Sequence, residues 1–133
     1  MCHKIFVLDD SPADRISLRA LFEDAGYQVE TFATISELVK EISEKSTPDV
    51  LVVDYQLTEG NCLPVVARYR YKVPYIICAT SSYDSEERLV KLYKAGVTDV
   101  QPKSFDIGLL CSVRTMMDRA KRGKHTETLY EIA

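Results

Sequence analysis

The 133-residue chain has no Cys-x-x-Cys pair, no internal repeat and no low-complexity segment. None of its apolar runs approaches the roughly 20 residues that a membrane-spanning helix needs. Each absence removes a class of function. Four scattered cysteines, Cys2, Cys62, Cys78 and Cys111, do not make a disulfide framework or a zinc site, and they fit a reducing cytoplasm. Cys78 and Cys111 lie in apolar stretches and are expected to be core thiols. Cys2 and His3 are adjacent, and two neighbouring residues do not make a metal site. With 17 basic against 20 acidic residues and a formal net charge of -3, the chain lacks the cationic surface that duplex nucleic acid or anionic lipid requires. The residues after Met1 enter an apolar stretch at Ile5 without a basic region before it, so no signal peptide is read.

What is present is one domain's worth of chain, 46% hydrophobic, in which short β-branched runs alternate with segments of helical period. That alternation predicts an α/β domain with a parallel sheet. The first strand is read as Lys4 to Asp9. Ser11-Pro12 then caps a helix that ends before Gly26 and carries Leu18, Leu21, Phe22 and Ala25 on its core stripe. A second strand near Gln28 to Thr31 leads to a helix with Ile35, Leu38, Val39 and Ile42 on one face. Val50 to Val53 is apolar without alternation, as a central strand covered on both faces should be. A loop containing Glu59-Gly60-Asn61 and a short helix to about Tyr71 follow. The fourth strand runs from Tyr75 to Ala79 and the fourth helix from Ser85 to Ala95, stopped by Gly96. A fifth strand at Thr98 to Gln101 and a helix from about Phe105 to Lys121, with Leu109, Val113, Met116 and Ala120 inward, complete the domain over 1–121. Residues 122–133 read as a polar tail, a frayed helix end or a linker.

Asp9 and Asp10 close the first strand and Asp54 follows the third. In open α/β sheets ligands bind outside the carboxyl ends of the strands, at the point where the strand order reverses. With the order 2-1-3-4-5, the doubly wound, flavodoxin-like arrangement of five parallel strands and five helices, the three acids converge there. Three close carboxylates call for a counter-charge. A hard divalent cation such as Mg²⁺, with Mn²⁺ as a substitute, supplies it. Beside such a cation Asp54 is a candidate nucleophile toward phosphorus. Lys103, just past the fifth strand, is placed to pair with a phosphoryl oxygen, and a hydroxyl after the fourth strand to donate to another. Taken singly, each acid reads equally well as a helix-capping or loop residue. The joint occurrence after four strands is what argues for a site.

These residues resemble the receiver domain of two-component response regulators over about residues 4 to 120. Phe6-Val7-Leu8-Asp9-Asp10-Ser11-Pro12 resembles the opening strand and acidic pair of that family, and Val52-Val53-Asp54-Tyr55-Gln56-Leu57 its phosphorylation strand. Ala95-Gly96-Val97-Thr98-Asp99 resembles the turn before the fifth strand, and Lys103-Ser104-Phe105 the family's Lys-Pro-Phe. The resemblance implies that Asp54 is the phosphoacceptor, Asp10 the direct metal ligand, Asp9 an acid acting through water, the Gln56 carbonyl a further ligand and Lys103 the phosphate-sensing lysine. Counting back from Ala95-Gly96 selects Ser81 as the switch hydroxyl. Counting forward from Pro74 reaches an earlier residue and leaves Thr80 as a compromise; Ser81 is preferred because Ser81-Ser82-Tyr83-Asp84 reads like Thr-Ala-Tyr-Asp. The implied partners are a histidine kinase or phosphotransfer protein and a downstream output domain or protein, with a homodimer left open. The implied activity is a self-phosphorylating, self-dephosphorylating switch rather than a conventional enzyme.

The chain also departs from the family. Ser104 stands where Pro usually follows the lysine through a cis bond, a geometry that costs about 3 kcal/mol before a non-proline residue. Val100 occupies the place of a coupling Tyr or Phe, and Thr58 and Cys62 replace a common Pro and Gly. These departures leave room for a receiver-like docking module that is not phosphorylated. A flavin mononucleotide carrier on the same fold is disfavoured by Asp9, Asp10 and Asp14, which would repel the phosphate. A haloacid-dehalogenase-type hydrolase is disfavoured because Gln56 and Ser11 stand where its second Asp should be.

Overall fold

The structure, a computed structural model, describes residues 3–81, 85–103 and 106–132, excluding the side chains after Ala120. Cys2, Ser82, Tyr83, Asp84, Ser104 and Phe105, named above, lie outside the described residues.

Five parallel strands form one sheet: β1 (Lys4–Leu8), β2 (Gln28–Phe32), β3 (Val50–Asp54), β6 (Tyr75–Thr80) and β7 (Asp99–Pro102). A two-residue-per-strand antiparallel hairpin, β4 (Gln56–Leu57) with β5 (Gly60–Asn61), stands apart from it. The sheet order is β2-β1-β3-β6-β7, which is the expected 2-1-3-4-5 once the hairpin is set aside. Every adjacent pair in it is parallel, so each connection must cross a face and carry a helix. The helices are α1 (Pro12–Asp24), α2 (Ile35–Glu44), α3 (Leu63–Tyr69), α4 (Glu86–Ala95) and α5 (Ile107–Ile132).

Alternation along the strands divides the core in two. Ile5, Val7, Val50, Val52, Ile77 and Ala79 pack against Leu18 and Phe22 of α1 and Leu109, Val113, Met116 and Met117 of α5. Phe6, Leu8, Leu51, Val53, Ile76 and Cys78 pack against α2, α3 and α4 through Leu38, Ile42, Val65, Val66, Tyr69 and Leu92. Val50 to Val53 are all buried, the reason their sequence lacks a polar face.

Helix starts follow their caps. Ser11 Oγ accepts from Asp14 N–H, Thr34 Oγ1 from Glu37 N–H and Ser85 Oγ from Arg88 N–H. Gly96 ends α4 at φ +127, a conformation that L side chains rarely adopt.

Five expectations need correction. Strand β7 begins and ends one residue later than read, and includes Pro102. It is an edge strand, where a missing N–H costs no ladder bond. Cys111 is exposed, because the buried stripe of α5 passes through Leu109, Ser112, Val113, Met116 and Met117 and leaves position 111 outside. Helix α3 stops at Tyr69 rather than near Tyr71. The loop after Asp54 contains the β4–β5 hairpin, which turns at Thr58-Glu59 and opens β5 on Gly60 at φ +133. The backbone of α5 continues past Lys121 as helix to Ile132. Among the described residues, no helix is long and apolar enough to cross a membrane.

Candidate functional site

The carboxyl ends of β1, β3, β6 and β7 meet at one edge of the sheet, and the acids converge there. Asp9 extends β1 by one ladder bond, its N–H donating to Phe32 O at 3.1 Å, and is 1% exposed. Its Oδ1 accepts from Ser11 N–H at 3.0 Å, which fixes the carboxylate. Asp10 is half-buried, and its Oδ2 accepts from the Thr58 hydroxyl at 3.1 Å. Asp54 is the last residue of β3. One carboxylate oxygen from each of Asp9, Asp10 and Asp54 lies within 4.8 Å of the others.

Lys103 reaches into this cluster from the residue after β7. Its N–H donates to Thr80 O at 3.0 Å, holding the chain beside β6, and its side chain is 6% exposed. The ammonium lies 2.8 Å from Asp9 Oδ2, 3.1 Å from Asp54 Oδ2 and 3.1 Å from Asp14 Oδ2. The contact to Asp9 Oδ2 is ionic and lacks good hydrogen-bond geometry, so that buried oxygen has no hydrogen-bond donor. Arg15 brings a second cation close, with Nη1 donating to the Asp9 carbonyl at 2.7 Å.

The electrostatics follow from burial. Desolvation raises the Asp54 pKa above its ordinary value; Lys103 opposes that shift and the charges of Asp9 and Asp10 add to it. Burial alone would lower the Lys103 pKa, but the carboxylates of Asp9, Asp14 and Asp54 around the ammonium more than offset it and the net shift is upward. Among the described residues, four carboxylates (Asp9, Asp10, Asp14, Asp54) stand beside two cations (Lys103, Arg15), a formal excess of two negative charges. The Asp9 oxygen that lacks a hydrogen-bond donor, the all-oxygen donor set and that excess fit a hard divalent cation.

The other anticipated residues are nearby but differently disposed. Thr80 is the last residue of β6 and 4% exposed; Ser81 follows it and is exposed. Asp54 pairs in register with Ala79, so alternation turns Thr80 to the opposite face of β6, and Ser81 lies one residue past the end of the strand. Gln56 begins β4 with its side chain exposed.

Three contributors escaped the sequence reading. Asp14 pairs with Lys103 across 89 residues of chain. Thr58, expected to be local variation, orients Asp10. The Arg88 guanidinium lies over the Tyr55 ring at 4.2 Å from its centroid, which joins α4 to the residue after Asp54. Only the Thr58 hydroxyl in the acceptor loop was a usable signal. Behind the site, Cys78 sits on β6 with its thiol pKa pushed up by a hydrogen bond to Cys62 and by burial.

Comparison with known proteins agrees with this geometry. The model of the response regulator receiver domain family matches residues 5–114, and the chain belongs to that family. It is a response-regulator receiver domain of two-component signalling. Its relatives include the photosynthetic apparatus regulatory protein RegA of Rhodobacter capsulatus, 31% identical over 103 residues, covering 77% of this chain and 55% of RegA. The transcriptional regulatory protein PhoP of Escherichia coli K12 is 28% identical over 105 residues, covering 78% of this chain and 47% of PhoP. The chain spans about a third to about half the length of the curated relatives it matches. Among solved structures, a CheY-like receiver domain of Methanospirillum hungatei superposes with a TM-score of 0.83 at 23% identity, covering 92% of this chain and 99% of that one. Chemotaxis protein CheY4 of Vibrio cholerae superposes at 0.76 with 27% identity, covering 87% and 99%.

Proposed function

We propose that this receiver domain accepts a phosphoryl group on Asp54 from a histidine kinase, a phosphotransfer protein or a small phosphodonor, and acts as a signalling switch. The observation that carries this reading is the meeting of the Asp9, Asp10 and Asp54 oxygens within 4.8 Å, with the Lys103 ammonium 3.1 Å from Asp54. Asp10, Asp54, the Gln56 carbonyl and, through water, Asp9 would hold Mg²⁺, or Mn²⁺ in its place. When bound, the cation screens the repulsion between the attacking carboxylate and the phosphoryl oxygens.

An Asp54 oxygen attacks phosphorus; the new O–P bond forms as the P–N bond to a donor histidine, or the P–O bond to a small donor, breaks with its electron pair leaving on the donor. Lys103 exchanges an Asp54 oxygen for a phosphoryl oxygen. The Ser81 hydroxyl donates to another; Thr80, the alternative, ends β6 beside it. Water later attacks phosphorus and returns the Asp54 carboxylate and inorganic phosphate, so the turnover resets a switch. Residues 1–121 form the switch and 122–133 a polar tail or linker, and a downstream output domain or protein reads the switch. PhoP and RegA are regulatory proteins by name, and on that pattern the output is regulation.

Incubation with acetyl phosphate and Mg²⁺, followed by intact-mass measurement, tests the reading. Wild type gains one phosphoryl group and Asp54→Asn gains none. No gain in wild type, with Mg²⁺ binding also absent, overturns it in favour of a docking module.

A further inference from the structure

Asp14 stands third in the first turn of α1, three residues after the cap Ser11. In a capping box that position sends its carboxylate back to the N–H of the cap residue. Here the Ser11 N–H is already engaged by Asp9 Oδ1 at 3.0 Å, and the helix start is served by Ser11 Oγ, which accepts from the Asp14 N–H. The Asp14 carboxylate is therefore not used in the cap. It points instead to Lys103 Nζ, 3.1 Å away.

An ammonium has three donors, and Lys103 faces three carboxylates: Asp9 just past β1, Asp54 at the end of β3 and Asp14 in α1. Asp9 and Asp54 belong to the acidic cluster itself. Asp14 does not: it is absent from the group of oxygens that converge within 4.8 Å, so its one visible partner at the site is the lysine.

We propose that Asp14 is a positioning residue for phosphoryl transfer: it tethers the Lys103 ammonium to the first turn of α1 and competes for it with the incoming phosphoryl group. The proposal rests on phosphorylation of Asp54. A phosphoryl group on Asp54 brings oxygens of higher charge density than the carboxylate it replaces, and Lys103 turns to them by loosening its bond to Asp14. The tether thereby couples the charge state of Asp54 to the start of α1.

The test follows acetyl phosphate labelling in Mg²⁺ by intact mass for wild type, Asp14→Asn, Asp14→Glu and Asp24→Asn. Asp24→Asn makes the same change in net charge at the far end of α1. Asp14→Asn keeps the N–H that Ser11 caps and an amide oxygen in place of the carboxylate, so the helix start is preserved. The expected result is labelling several-fold faster in Asp14→Asn than in wild type or Asp24→Asn, with Asp14→Glu returned toward wild type. In parallel, the nitrogen-proton NMR signal of the Lys103 ammonium, slow to exchange while held by three acids, should broaden in unphosphorylated Asp14→Asn. Equal or slower labelling of Asp14→Asn beside a wild type that does label overturns the tether and leaves the switch standing. If no protein labels, the phosphoacceptor reading fails, and competition with a phosphoryl group fails with it.

Discussion

Lys103 Nζ lies 3.1 Å from Asp54 Oδ2, so the cation that closes β7 is paired, before any phosphoryl group arrives, with the carboxylate that closes β3. The pairing has a stability consequence. Lys103 is the ammonium among buried acids, and breaking a buried pair by deleting one partner typically costs about 3–5 kcal/mol. Lys103→Met keeps most of the volume and should lower the melting temperature by on the order of 10 °C in EDTA, taking about 2–4 °C per kcal/mol for a domain of this size. Mg²⁺ should recover more stability in this variant than in wild type, because it replaces the lost charge. Calorimetry with and without Mg²⁺ decides; an unchanged melting temperature in EDTA would mean that the pair contributes nothing.

The raised pKa of Asp54 predicts a pH dependence of opposite sign to that of an ordinary paired carboxylate. In the metal-free folded chain Asp54 binds its proton at higher pH than its ordinary value of 3.8, so the folded state holds a proton that the unfolded state has released. Stability therefore falls as pH rises from that value through the raised one, and the loss is complete above it. Lys103 does not blur the window: its raised pKa contributes stability that persists below 10.5 and is lost only at still higher pH. Urea unfolding in EDTA at several pH values, wild type minus Asp54→Asn, isolates the effect. The difference should grow against wild type with pH and shrink when Mg²⁺ is added; a difference that is flat with pH contradicts the cause assigned to the shift.

How far the sequence could be read depended on whether a signal was local. The strand order and acid placement were legible because an apolar run such as Val50 to Val53, followed at once by Asp54, fixes both a buried strand and what its carboxyl end presents. Ser11 was legible as a cap for the same reason. Asp14 was not, because a polar residue in a first helical turn has a sufficient local explanation and its partner lies 89 residues away. Cys111 was misread from its apolar neighbours. At about 100° per residue, the inward direction set by Leu109 and Val113 leaves position 111 facing solvent.

The cysteines give a direct check on that correction. The nucleophile in alkylation is the thiolate. Cys62 and Cys78 are 0% exposed, and burial and their mutual hydrogen bond push the Cys78 pKa upward. Under native conditions iodoacetamide should modify Cys111 rapidly and leave Cys62 and Cys78 unmodified until urea is added, as read by peptide mapping. Early modification of Cys78 would contradict its placement behind the site.

Arg88 and Tyr55 supply a connection between α4 and the acceptor loop that does not pass through position 100. Val100 is 3% exposed and packed in the core with Cys78 and Leu92, so it offers no aromatic ring to move. Tyr55, in contrast, directly follows Asp54, and the Arg88 guanidinium stacks 4.2 Å from its ring centroid; the backbone N–H of the same Arg88 is held by Ser85 at the start of α4. A stack of this kind contributes about 0.5–1 kcal/mol when partly solvated. A double-mutant cycle with Tyr55→Leu and Arg88→Met in urea unfolding should therefore return a coupling energy of about that size, since residues in contact do not add. Because Asp54 gains negative charge on phosphorylation and would draw the guanidinium toward it, the coupling should weaken when the cycle is repeated on acetyl phosphate-treated protein in Mg²⁺. A coupling of zero in both states would show that the stack carries nothing between Asp54 and α4.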